Sequence, residues 1–139
     1  MRQALYQLTI ETGGRGLVEI TRQIARWVSE QQIATGLLTV FCRHTSASLL
    51  IQENADPDVR TDLEAFFDRI APEAPGLYVH EDEAPDDMPA HLRAALTQVQ
   101  LSIPVAQAKM TLGTWQGVYL FEHRRRPHRR EIVLHLIGD

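Results

Sequence analysis

A single α+β domain is what the sequence predicts, and three observations predict it. The chain has 139 residues, 44% of them hydrophobic, which is enough for one domain with a sizeable core. Three stretches carry helical apolar spacing or strong helix-start signals, and from Val99 onward the pattern changes to short alternating or β-branched segments. Residues 1–139 therefore read as one domain without a linker.

Leu5, Gln7 and Thr9 alternate with Tyr6, Leu8 and Ile10, which suits a half-buried strand over 3–11. Gly13, Gly14 and Gly16 mark a turn; this GGxG reads as a connection rather than a phosphate loop. Ile20, Ile24, Trp27 and Val28 then recur at helical spacing, predicting a packing helix over 18–32. A strand is expected over 36–43 and another over 48–53. Alternation puts Cys42 and His44 on one face, but Cys42 reads as a small buried strand residue rather than a nucleophile. Asp56 and Pro57 form a helix start, with Asp56 as cap, and Val59, Leu63, Phe66, Phe67 and Ile70 make an inner face ending near Pro72.

Between Pro72 and Pro85 the chain is rich in proline and acid, as solvated loops are. The run Asp87-Met88-Pro89-Ala90-His91 opens a helix to about Thr97, with Asp87 as its expected cap. His91 then lies one turn inside, near the positive end of the axis, where the neutral imidazole that a metal requires is favoured. Strands follow over 101–105, 109–112, 117–122 and 131–137. The last connection holds five arginines in seven residues, Arg124 to Arg130. It reads as a hydrated hairpin tip, with phosphate binding as the functional alternative.

Charge and composition exclude several classes. Eighteen acidic against fourteen basic residues give a net charge of -4, so a general grip on nucleic acid is not expected. No apolar run approaches the roughly 20 residues that span a bilayer, and one cysteine forbids an internal disulfide. The expectation is a cytoplasmic protein that binds neither nucleic acid nor membrane.

The chemistry-bearing residues fall in three places. His44 stands at a strand end beside Thr45 and Ser46, His80 lies in the acidic loop, and His91 starts a helix. Three imidazoles from separate elements can hold a divalent ion, zinc for example, with water in the fourth position. Asp82, Asp86 and Glu122 are candidates to orient them, or to bind magnesium if the ligand is a diphosphate. His123, His128 and His135 read as surface residues. In Leu112-Gly113-Thr114-Trp115-Gln116-Gly117, two glycines bracket a ring and an amide. That is either a Trp packed in the core or a platform for a flat heterocycle whose edge Thr114 or Gln116 reads.

Taken together and in order, HTSASLLIQENADPDVRTD (44–62), HEDEAPDDMPAHL (80–92) and LGTWQGVYLFEHR (112–124) resemble the YjbQ family, whose members are often described as secondary thiamine-phosphate synthases. The resemblance implies a compact α+β domain with a mixed, largely antiparallel sheet, assembled as a homotrimer, with a histidine pocket near the subunit contact. It implies a weak ability to join a pyrimidine diphosphate to a thiazole phosphate. It carries functional roles onto His44, Thr45, Ser46, Asn54, Asp56, His80, Asp87, His91, Gly113, Thr114, Trp115, Gln116, Glu122 and Arg124. In that reading His44, His80 and His91 form the metal site and, with Glu122, the catalytic group. Thr45, Ser46 and Arg124 meet phosphate, and Trp115 stacks on the ring. Metal-assisted hydrolysis of a small phosphorylated metabolite and non-catalytic sequestration by a trimer are the competing expectations. Two positions depart from the family pattern: Gln100 stands for a serine and Ala108 for a glycine. The second is expected to reshape a turn, because alanine tolerates positive φ poorly.

Overall fold

The computed structural model describes residues 1–139. Eight strands and three helices run in the order β1 (Arg2–Glu11), β2 (Gly16–Glu19), α1 (Thr21–Glu30), β3 (Thr35–Cys42), β4 (Ala47–Glu53), α2 (Pro57–Ile70), α3 (Asp87–Leu96), β5 (Gln100–Ala106), β6 (Lys109–Met110), β7 (Gln116–Glu122) and β8 (Arg129–Gly138). They make a five-stranded sheet, β1-β8-β3-β5-β6, and a three-stranded sheet, β2-β7-β4. Every pairing is antiparallel, so no strand supplies the mixed component.

Alternation explains how the sheets meet. Leu38 and Val40 of β3, Leu101, Ile103 and Val105 of β5, and Ile132, Leu134 and Leu136 of β8 point one way, into a core that also holds Leu49 of β4 and Val118 and Leu120 of β7. Ile24, Trp27 and Val28 of α1 complete that core. On the other face of β7, Phe121 meets Phe67 of α2 edge-on at 5.4 Å. β7 is thus buried on both faces, which accounts for its nearly unbroken apolar run.

The opposite face of the five-stranded sheet has no cover. Leu5 is 71% exposed, and Leu37 and Phe41 are also exposed. The register sets Leu37 beside Ile137 and Phe41 beside Val133, with Thr39 and His135 paired between them, so the apolar pairs on this face are separated by a polar one.

Three local expectations change. The helix read from residue 18 begins at Thr21, because Leu17, Val18 and Glu19 are drawn into pairing with Phe121, Leu120 and Tyr119. The strand expected over 109–112 shrinks to Lys109–Met110. The turn at Ala108 keeps left-handed backbone: Gln107 and Ala108 have φ of 53° and 62°, and the Ala108 N–H donates to the Ala34 carbonyl at 3.1 Å. Two positive-φ residues between antiparallel strands are the tight hairpin geometry, so the alanine is strained in place instead of reshaping the loop.

Candidate metal centre

Three side chains converge where α3 begins. His80 Nε2 lies 2.7 Å and His91 Nε2 3.1 Å from the same Asp87 oxygen, Oδ2. Ligand atoms of the three all lie within 4.8 Å of one another. Asp87 and His91 share a helix face because they are four residues apart, and the 71–86 connection brings His80 across to them. Asp86, rather than Asp87, is the N-cap residue, and its side chain caps nothing. That frees Asp87, the first helical residue, to turn toward the imidazoles.

The frame around Asp87 fixes its aim. Arg124 donates from Nη1 to Asp87 Oδ1 at 2.7 Å and from Nε to Asp86 Oδ2 at 3.1 Å. Burial alone would raise the Asp87 carboxyl. The His80 hydrogen bond, the charges of His91 and Arg124 and the His91 hydrogen bond outweigh it, holding the group below the ordinary carboxylate range.

His91 stands between two acceptors. Its Nδ1 lies 2.9 Å from the Thr45 carbonyl, which only accepts, so Nδ1 carries a hydrogen. Nε2 then faces a carboxylate that also only accepts. A neutral ring satisfies one of these contacts; the other requires a second proton or a metal ion between Nε2 and Asp87. An Nδ1–H held by a carbonyl is the usual support of a metal-binding imidazole. Two imidazoles and one carboxylate fit a transition-type ion such as zinc better than magnesium, which prefers all-oxygen surroundings. Beside His80 opens a recess of about 200 Å³ walled by Pro75, Tyr78, Glu83, Pro85 and Met88.

The trio foreseen from the sequence is corrected at one member: Asp87 stands where His44 was expected. The His44 ring is turned to β8, where Nε2 accepts the Glu131 N–H at 2.8 Å. Burial, then the charge of Arg130, lowers its basicity. Thr45 contributes through its carbonyl. Ser46 is turned inward to Arg130, whose Nη2 donates to its Oγ at 3.0 Å. Glu122 is fully buried and ion-paired with Arg130. It also accepts from Thr12 Oγ1 at 2.7 Å and from the backbone N–H groups of His123 and Arg124 at 3.0 and 3.1 Å. It is a strut that sets the position of Arg124, not a group facing the recess.

The remaining expected site residues lie elsewhere. β4 and β7 pair from Ala47↔Glu122 at one end to Glu53↔Gln116 at the other. Six residues of strand separate these ends by about 20 Å. Asn54, Asp56, Thr114, Trp115 and Gln116 all sit at or beyond the second end. Asp56 caps α2 by accepting the Asp58 N–H at 2.9 Å. Asn54 donates to the Gln116 carbonyl at 3.3 Å, and the Gln116 side chain accepts the Gly113 N–H at 2.8 Å. Trp115 is 63% exposed, so it neither packs in the core nor reaches the triad within one chain.

The arginine run is largely neutralised. Arg124 meets Asp86 and Asp87, Arg125 meets Glu73, Arg129 meets Glu11 and Arg130 meets Glu122; Arg126 alone has no carboxylate partner. Sequence reading also missed His123, which is buried rather than on the surface and lies 2.8 Å from Ser48 Oγ. Burial, then the charge of Arg93, pushes its basicity down to about 3. His135, half-buried on the bare sheet face, and His128, in the last connection, match the expectation better.

Comparison with known proteins bears on the whole chain. A family model described as UPF0047 protein YjbQ-like matches residues 6–139. The UPF0047 protein sll1880 of Synechocystis is 51% identical over 138 residues, covering 99% of this chain and 94% of that protein. The UPF0047 protein YjbQ of Escherichia coli O157:H7 is 39% identical, covering 95% and 96%. Among solved structures, a YjbQ/UPF0047 family protein of Clostridium acetobutylicum superimposes with a TM-score of 0.86 at 32% identity, over 95% of this chain and 99% of that one. The conserved hypothetical protein TT1486 of Thermus thermophilus gives 0.82 at 32% identity, over 95% and 99%.

Proposed function

This chain belongs to the UPF0047 YjbQ-like family, and from that premise we propose that it is a divalent-metal enzyme acting on a small phosphorylated metabolite, with His80, Asp87 and His91 as the metal ligands. The observation that carries the reading is the convergence of His80, Asp87 and His91, whose ligand atoms lie within 4.8 Å of one another while the Thr45 carbonyl holds His91 Nδ1 and leaves Nε2 aimed at Asp87. A zinc-like ion held there supplies Lewis acidity to a water or to a phosphoryl oxygen.

The protein's own groups do the rest. Thr45 keeps His91 in one tautomer and orientation, Arg124 prevents Asp87 from rotating away, and Asp86 keeps Arg124 extended. The recess beside His80, with its apolar wall and the carboxylate of Glu83, suits the part of the substrate that is not phosphate. Hydrolysis is the form this geometry supports best, since the triad and recess lie together while the ring platform required for joining two heterocycles does not lie with them.

A second reading is favoured by the exposure of Trp115 and the bare sheet face. In a homotrimer, Trp115 of one copy can serve the triad of another, and the pyrimidine diphosphate and thiazole phosphate of the resemblance can then be joined. A single buried free cysteine accords with a reducing cytoplasm, and no helix is long and apolar enough to cross a membrane.

The test takes untagged protein, measures bound metal, and follows phosphorus NMR during incubation with both thiamine precursors. Stoichiometric zinc and release of inorganic phosphate or diphosphate support hydrolysis. A joined monophosphate supports the second reading, and retention of both ligands unchanged supports sequestration. Absence of stoichiometric metal, or equal affinity in His91→Ala, removes the metal enzyme altogether.

A further inference from the structure

The β3–β8 ladder ends in an exchange of acceptors. Residues of a hydrogen-bonded antiparallel pair give each other both of their backbone bonds. Beyond Cys42↔Ile132 the register continues to Arg43 and Glu131, and the Arg43 N–H does donate to the Glu131 carbonyl, at 3.3 Å. The return bond goes elsewhere. The Glu131 N–H donates to His44 Nε2 at 2.8 Å rather than to the Arg43 carbonyl. A side chain has taken the place of a strand carbonyl, so the backbone leaves the sheet after Arg43 without stranding the N–H of half-buried Glu131.

A backbone N–H only donates, so Nε2 is bare and the His44 ring is neutral with its hydrogen on Nδ1. Burial first, then the charge of Arg130, favours that neutral form over the opposing charges of Glu131 and Glu122, and Arg43 adds to it.

The residue that this detour turns outward is Thr45. Ser46, on its far side, is fastened too: its carbonyl accepts from the His123 N–H at 3.3 Å and from Arg130 Nη2 at 3.1 Å, and its Oγ accepts from Arg130 at 3.0 Å. Cys42 Sγ closes the same bend on the Ala47 carbonyl at 3.5 Å. Thr45 itself is exposed, so no packing holds it. It is tied through its neighbours, and between them its carbonyl meets His91 Nδ1 at 2.9 Å.

We propose that His44 is a positioning residue for the metal site: by standing in for the Arg43 carbonyl on β8, it turns the chain so that the Thr45 carbonyl holds the His91 ring. The proposal rests on the reading of His80, Asp87 and His91 as metal ligands, but its first consequence, a fixed His91 ring, needs no metal.

The experiment records ¹H–¹⁵N spectra of the imidazole rings in chelator-treated protein, above the ordinary histidine range of pH, and then titrates cobalt(II) alone. Wild-type protein is expected to show a bare His44 Nε2 and a His91 Nδ1–H whose exchange with water is slowed by the Thr45 carbonyl. His44→Leu, first shown to melt cooperatively, removes the acceptor. The His91 Nδ1–H signal is then lost to exchange, and cobalt affinity falls about tenfold, as when an outer support of a ligand is removed. His44→Gln, whose amide oxygen can accept the Glu131 N–H, restores both in part, which a role in packing alone would not do. The proposal is overturned if His44 Nε2 carries a hydrogen in wild-type protein, a result that needs no variant to fold. It is also overturned if His44→Leu keeps the His91 signal, or if His44→Gln fares no better than His44→Leu. The metal reading fails on a different result: wild-type protein that binds no cobalt, while His44→Leu still releases the His91 ring, leaves the hold on His91 standing and removes only the ion.

Discussion

The two ends of the β4–β7 pair are built from similar residues and do opposite things. At the Ala47–Glu122 end, polar side chains are buried or half-buried and cross-linked: Glu122 to Arg130 and Thr12, Arg124 to Asp86 and Asp87, and His91 to Thr45. At the Glu53–Gln116 end, the carboxylates and amides satisfy nearby backbone: Glu53 takes the N–H groups of Ala55 and Asp56, Asp56 takes that of Asp58, and Gln116 takes that of Gly113. Function needs groups whose aim is fixed by partners other than their own turn. The first end has that property, and the second finishes a loop and starts a helix.

This contrast can be broken by experiment. The largest effect belongs to Glu122→Ala, which strands Arg130 in the interior; unfolding by urea should show a loss of about 3–5 kcal/mol. Next, His91→Ala should lower zinc affinity at least about a hundredfold by competition with a chromophoric chelator, since even removal of an outer support costs 10–100-fold. A third test is the pH dependence of stability. His123 has a folded value of about 3 against 6.5 ordinarily, so below 6.5 the unfolded chain takes up a proton that the folded one refuses. Stability should therefore fall as pH drops from 6.5 toward 3, and His123→Leu should flatten that slope in thermal melts. At the far end, Asp56→Ala should cost about 1 kcal/mol as a lost helix cap. Trp115→Ala should change the stability of the chain by less than about 0.5 kcal/mol, as exposed positions do. A large loss at Trp115, or none at Glu122, would erase the distinction between the ends.

What was legible in the sequence follows the same division. Asp56-Pro57 announced α2 because capping is local chemistry, and the short β-branched or alternating run at the end of the chain announced β8 as a strand. β2 was hidden because four residues beside a glycine turn carry no period, and only pairing with β7 makes them a strand. His123 was misplaced because a strand covered on both sides shows no alternation by which to read burial. For the site, His80 and His91 were found as imidazoles in acidic or helix-start settings, but Asp87 was assigned to capping and, by resemblance, to substrate binding, and its spacing of four from His91 was passed over. His44 failed for a long-range reason: its partner is the Glu131 N–H, 87 residues away. Gln107 and Ala108 show the reverse, a local rule overridden, because the hairpin and the Ala34 carbonyl hold a backbone that alanine resists.

The bracing of Asp87 by Arg124 sets a limit on transplantation. Grafting only His80, Asp87 and His91 onto a foreign scaffold would leave the carboxylate free to swing and the imidazole free to flip. The smallest portable unit joins three separated pieces, Thr45, the span from His80 to His91, and the Glu122–Arg124 corner, and the last must travel with its own counterion, Arg130.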